Sequence, residues 1–191
     1  MLLWVILLIA AAILVYVIVI FNRLVRTRQM ANEAWSGIDV QLKRRSDLVP
    51  NLVEAVKGYA GHERTVLDDV TRLRGAARAL PDNDVASRAQ AEGALSLALG
   101  KLIALAENYP DLKASSNFLD LQQQLSQLET ELQMARRYYN GTVRNQNVLA
   151  QSFTSNLIAG LFGFGQRQYF EVSDGDRAVP EVNLQQVPPS R

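Results

Sequence analysis

Residues 2–21, LLWVILLIAAAILVYVIVIF, carry no charged and no strongly polar side chain. That run constrains the chain more than anything that follows it. As a helix rising about 1.5 Å per residue it is about 30 Å long, the thickness of a bilayer's hydrocarbon core. A cleaved signal peptide would need a basic lead, an apolar core of about 7–15 residues and a small-residue cleavage site. No Lys or Arg precedes this run, and it ends in Phe21-Asn22-Arg23. The expectation is an uncleaved, single-pass transmembrane anchor over 1–22. Arg23, Arg26 and Arg28 follow the span at once. Basic flanks stay on the cytoplasmic side, which puts the N-terminus outside and the remainder inside. Trp4 and Phe21 sit at opposite ends of the run, as interfacial aromatics do.

From Phe21 a seam continues without linker composition: Leu24, Arg28, Ala31, Trp35, Ile38, Leu42, Arg45, Val49, Leu52, Val56 and Tyr59. Its steps alternate three and four, the 3.5-residue repeat of helices packed lengthwise in a coiled coil. Pro50 interrupts it chemically, at a cost of about 3 kcal/mol in an ordinary helix interior. The seam keeps its phase across Pro50, so the expectation is one kinked helix; a helix restarted under a Ser46 or Asp47 cap is the lesser alternative. Gly58-Tyr59-Ala60-Gly61 is either a turn or a joint within one very long helix. Val66, Val70, Leu73, Ala77 and Leu80 resume the rhythm, and Pro81-Asp82-Asn83-Asp84 stops it.

A small-residue-rich helix is expected over 86–107, followed by a loop over 108–116. The next helix, 117–152, is capped by Ser116 or Asn117 and has its seam at Phe118, Leu121, Leu125, Leu128, Leu132, Ala135 and Tyr139. Each helix alone would leave an apolar stripe in water. The fold class expected is therefore all-α: a transmembrane helix continuing into an elongated antiparallel helical bundle over 23–152. Helices of about 34 residues would make it about 50 Å long. Residues 153–171 are rich in glycine and aromatics and read as a C-terminal hook, not helical past Gly160, that packs on the bundle or meets a partner or membrane. Residues 172–191 read as a disordered tail.

The chemistry on offer is sparse. The formal charge is +1, there is no cysteine, and His62 is the single histidine. That balance gives no footprint for nucleic acid, and those counts exclude disulfides, thiol nucleophiles and a multi-histidine metal site. His62-Glu63 lacks the second histidine of HExxH, because Val66 stands there. The GLFGFG run lacks the strand and helix of a phosphate loop. The adjacent Asp68 and Asp69 diverge by about 100° on a helix and form no acid–base pair. No catalytic, cofactor or metal residue is assigned, and no enzyme activity is expected.

Interface or structural roles are expected instead at Trp35, Asp39, Lys43, Arg44, Arg45, Asp47, Pro50, Asn51, Tyr139, Phe153, Asn156, Phe162 and Phe164. The basic triplet at 43–45 is expected to be compensated locally, Lys43 by Asp39 and Arg44 by Asp47. Arg45 differs, since it occupies the seam. A charge there is costly unless paired, so it is expected to meet a carboxylate from another helix, in this chain or a neighbouring copy.

Five blocks in order resemble the LemA family of bacterial membrane proteins. They are the apolar N-terminus, AWSGIDVQLKRRSDLVPNLVEAVKGYAGHE at 34–63, YPDLKASSNFLDLQQQL at 109–125, ARRYYNGTVRNQN at 135–147 and FTSNLIAGLFGF at 153–164. Ser46 departs from a histidine in the RRxDL run, and Thr154-Ser155 from a phenylalanine–proline step. The resemblance implies an N-out anchor in the bacterial cytoplasmic (inner) membrane and an elongated cytoplasmic helical domain. It brings no catalytic residues, and some relatives are linked to organising intracellular membranes. The function expected is a non-enzymatic membrane-anchored scaffold that self-associates and organises or shapes the membrane. The alternative is an adaptor for a membrane peptidase or transporter. The partners expected are the lipid bilayer, other copies in a homo-oligomer and, on the adaptor reading, a membrane protein, with no nucleic acid.

Overall fold

The structure, a computed structural model, describes residues 1–171 except Asp82; the tail expected over 172–191 lies outside the described residues. Among these, six helices and no strand are found: α1 (Leu2–Lys57), α2 (Arg64–Ala79), α3 (Val85–Ala106), α4 (Pro110–Lys113), α5 (Ser116–Gln151) and α6 (Ser155–Leu161).

α1 is one helix of 56 residues that carries the apolar run straight into the bundle. Of the seam, Leu24, Ala31, Ile38, Leu42, Arg45, Val49, Leu52 and Val56 are buried. Arg28 is exposed, and Tyr59 lies beyond the helix end with Ala60 buried in its stead. The helix passes through Pro50 without a break, and neither Ser46 nor Asp47 caps a new one. Proline at 50 has no N–H to give the carbonyl of Ser46, four residues back. That carbonyl accepts instead from Arg74 Nε of α2 at 2.6 Å. The orphan created by the proline becomes a tie between two helices.

Residues 58–63 form a turn, so the chain doubles back after α1. In α2 it is Leu67, Val70 and Ala77 that are buried, with Val66 only partly covered. Asp84 caps α3 by accepting from the Ser87 amide at 3.1 Å. Hydrogen bonds from Ser87 hold the Asp84 carboxyl below its ordinary range. The stretch expected as a loop at 108–116 contains a further short helix, α4, opened by Pro110 at its first turn. α5 begins at Ser116 with Ser115, not Ser116 or Asn117, at the cap position.

α5 runs antiparallel to α1: Trp35 stacks near Tyr139, Arg45 reaches Glu129, and Leu149 packs on the Leu24 cluster. The α2–α3 hairpin covers the half of α1 far from the apolar run, tied by the Arg74–Ser46 contact and by Arg88–Asp39. There Leu48, Val49, Leu52 and Val56 share a core with Leu67, Leu99, Leu102, Phe118 and Leu125.

Lengths explain the near half. α5 has 36 residues and α3 has 22, so α5 outruns it by about 21 Å at 1.5 Å per residue. The segment 164–170 covers about 20 Å at about 3.3 Å per residue, and Phe164 and Phe170 on it are buried against α1 and α5. This strap closes the stretch that α2 and α3 are too short to reach.

Candidate functional site

Two constellations stand out, a buried ionic cluster at mid-rod and the strap with its hook near the apolar run. In the first, the seam places Arg45 of α1 between α3 and α5, with 1% of its surface exposed. Its Nη1 donates to Ser96 Oγ at 2.6 Å and to Glu129 Oε1 at 2.7 Å. Its Nη2 donates to the Glu92 backbone carbonyl at 3.2 Å and to the Glu92 carboxylate. Burial by itself lowers the Arg45 pKa, but Glu129 and Glu92 outweigh it and leave the value raised. The guanidinium is thus held as a cation and used up within its own chain. Both terminal nitrogens are engaged and the remaining Nε is buried without a partner, so the guanidinium presents no exposed donor to a phosphate or an acidic substrate.

The expected local pairs give way to longer ones. Asp39 accepts from Arg88 of α3 at 2.8 Å rather than pairing with Lys43, and Arg44 lies 3.7 Å from Glu131 of α5 rather than pairing with Asp47. An i,i+4 pair on a helix is worth only about 0.3–0.5 kcal/mol, so an inter-helix partner displaces it readily. Lys43, Asp47 and Asn51 are exposed. Arg44, Asp47 and Asn51 line one open groove between α1 and α5.

The second constellation begins where α5 ends. α6 turns back onto α1, extending one residue beyond the Gly160 limit expected from sequence. Gly163, at φ 69°, reverses the chain into the strap; this left-handed region suits glycine and few other residues. The strap is then read by two asparagines of α5. Asn147 donates to the Arg167 carbonyl at 2.9 Å and accepts from the Arg167 amide at 2.8 Å. Asn140 does the same for Phe170, at 3.2 and 2.9 Å. Each side-chain amide therefore imitates a neighbouring β-strand. The spacing makes this possible, because seven helical residues rise about 10.5 Å and three extended residues about 10 Å.

Other contacts fasten the same segment. Tyr139 Oη donates to the Gln168 carbonyl at 3.0 Å, and Arg167 also meets Asn32 of α1. Phe170 packs by Trp35 at 5.9 Å and beneath Arg136 at 5.4 Å. Phe164 packs by Phe21 at 5.7 Å with Arg28 over its ring at 5.3 Å. Burial raises the Tyr139 phenol, and the charge of Arg167 pulls the other way. Trp35, Tyr139, Phe164 and Phe162 are thus gathered around the strap, whereas Phe153 and Asn156 point outward. Glu92, Glu129, Asn140 and Asn147 escaped the sequence reading. The asparagines seven apart on one buried face were the available signal.

The LemA family model matches residues 34–184, which include the ionic cluster, the strap, the hook and most of the chain. The chain belongs to the LemA family. Protein LemA of Metamycoplasma hominis is 30% identical over 136 residues, covering 71% of this chain and 58% of that one. The Magnetosome protein MamQ of Magnetospirillum gryphiswaldense is 22% identical, with 88% and 72% covered. MamQ 2 of Paramagnetospirillum magneticum is also 22% identical, with 79% and 64% covered. The match thus spans only part of these relatives' lengths. In this LemA-family chain the apolar stretch of α1, residues 2–21, lies outside the matched residues. It carries a mean hydropathy of 3.2 over a window with no residue buried. With the family it makes this a membrane-associated helical protein.

Proposed function

We propose that this chain is a non-enzymatic membrane-anchored scaffold, holding a rigid helical rod on the inner membrane and associating laterally with other copies. The observation that carries the reading is the single helix α1, whose exposed apolar stretch enters the bundle with no linker. An enzyme tethered for local action tolerates a loose leash, whereas a spacer or shaping element needs a stiff joint. Arg23, Arg26 and Arg28 favour the bundle on the cytoplasmic side. Val40, Met134 and Tyr138 are exposed on the rod between the Trp35 and Arg45 contacts, and such apolar flank residues suit weak, repeated lateral contact. The relatives called magnetosome proteins fit a role in organising membranes.

The test is the full-length protein reconstituted in vesicles over a wide range of protein densities, followed by single-molecule photobleaching and electron cryomicroscopy. Growth of oligomers with density, together with altered vesicle shape, is the expected result. A monomer at every density on vesicles of unchanged shape removes the scaffold reading.

A further inference from the structure

The hook has apolar side chains on both faces, and only one face is covered by protein. Ile158 and Ala159 of α6 pack on Ile20, Leu24 and Phe164. On the other side Leu157 is 65% and Leu161 78% exposed, four residues apart on one helical stripe, and Phe153, just before α6, is 86% exposed. Asn156 is also exposed, so the outer face is an apolar stripe with a polar edge, the pattern of a helix lying at an interface.

Its height along α1 says which medium. Thr154 is hydrogen-bonded to Tyr16, and the Phe162 ring lies 4.9 Å from that of Phe21. Tyr16 precedes Arg23, the first charge, by seven residues, so the start of the hook sits about 10 Å on the apolar side of that arginine. An interfacial helix buries its apolar face about 5–10 Å into the boundary between headgroups and acyl chains. Around the hook the charge is positive: Arg23 of α1 and Arg144 of α5 line one groove with Tyr16, Ser152 and Ser155. Both arginines are exposed, and neither has a carboxylate partner among the described residues. Like charges facing one groove suit an anionic lipid phosphate.

We infer that α6 is a second membrane-contacting element, lying in the bilayer interface beside the span, with Phe153, Leu157 and Leu161 among the acyl chains and Arg23 and Arg144 on anionic headgroups. This rests on the reading that the apolar part of α1 spans a bilayer.

The chain has no cysteine, so single labels are simple to place. Full-length L157C, L161C, M134C and I9C variants carry an NBD fluorophore in phosphatidylcholine–phosphatidylglycerol vesicles, Met134 being exposed at mid-α5. The expected result is iodide quenching several-fold weaker at 157 and 161 than at 134, with strong quenching there by shallow doxyl lipids. At position 9 deep doxyl lipids should quench instead. A lipid-buried label at 9 with labels at 157 and 161 as open to iodide as that at 134 overturns the interfacial hook alone. An iodide-accessible label at 9 overturns the span, and the hook with it. Protection at 157 and 161 without doxyl quenching, growing with protein density, shows a second copy on this face and also overturns the proposal.

Discussion

Replacing Arg45 with Leu isolates the energetics of the buried cluster. The substitution keeps an apolar stem in the seam and removes the cation that Glu92 and Glu129 share. The two carboxylates are not equally stranded. The Glu129 side chain is 40% exposed and can turn into water, whereas that of Glu92 is 7% exposed and cannot. Breaking a buried ion pair from one side costs about 3–5 kcal/mol, mainly through the uncompensated charge left behind. With only Glu92 trapped, the lower end applies, about 3 kcal/mol. For a domain of this size each kcal/mol moves the melting temperature about 2–4 °C, so R45L should melt roughly 6–12 °C lower.

Circular dichroism of the full chain in detergent micelles reads this directly. The double variant R45L/E92L supplies the control, because removing both charges and filling the space with methylenes is often neutral or stabilising. It should recover most of the loss. An R45L protein that melts within a degree or two of the parent would refute the reasoning, since the cluster would then be solvated. So would a double variant no better than the single.

Three further outcomes follow from the same contacts. Arg74→Ala leaves the Ser46 carbonyl without a donor and should cost about 1–3 kcal/mol, but much less in a P50A background, where the restored amide satisfies it; a double-mutant cycle by thermal melts reads the coupling, and strict additivity would contradict the account. Asn140→Asp and Asn147→Asp keep the acceptor and lose the donor to the strap, so trypsin should cleave after Arg167 several-fold faster in either variant, with unchanged cleavage rates as the contrary result. Tyr139 has its pKa raised by burial, so its contribution is fully present below the unfolded value of about 10 and is lost as pH rises through the folded one; the stability gap between the parent and Y139F should therefore narrow in melts taken from pH 9 upward, and a constant gap would refute it.

Legibility in the sequence followed the reach of each signal. Periodicity is a property of one helix, so the buried positions Leu24, Ile38, Leu42, Leu52 and Val56 of α1, and Phe118, Leu125, Leu132 and Tyr139 of α5, could be read without knowing their neighbours. The oddity of Arg45 was legible for the same reason. Its partners were not, because Glu92 lies on a helix with broad small-residue faces where a glutamate looks like any surface residue, and only the register of α3 against α1 brings it inward. The compensation of Arg44 and Asp39 was misjudged because local spacing shows the weaker of two competing pairings. Asn140 and Asn147 stayed hidden because their partner is the backbone of 167 and 170, which no side-chain pattern marks.

With the apolar stretch spanning a bilayer as proposed, the strap, the hook and the long helix together would set how that bilayer acts on the rod. About 36 residues of α1 follow Phe21, which carry the distal tip about 54 Å from the membrane exit. α6 and the strap lock α5 to α1 at that exit, through the Ile20–Ile158 cluster and the Asn147 clamp. No bend is available between span and bundle, so the tilt of one is the tilt of the other. Transmembrane helices tilt by about 20° on average, and at that angle the tip is displaced sideways by about 18 Å. That displacement exceeds the 8–10 Å between packed helix axes. In the proposed scaffold, contacts between the distal halves of neighbouring rods would therefore depend on the tilt of the span, while contacts near the hook would not.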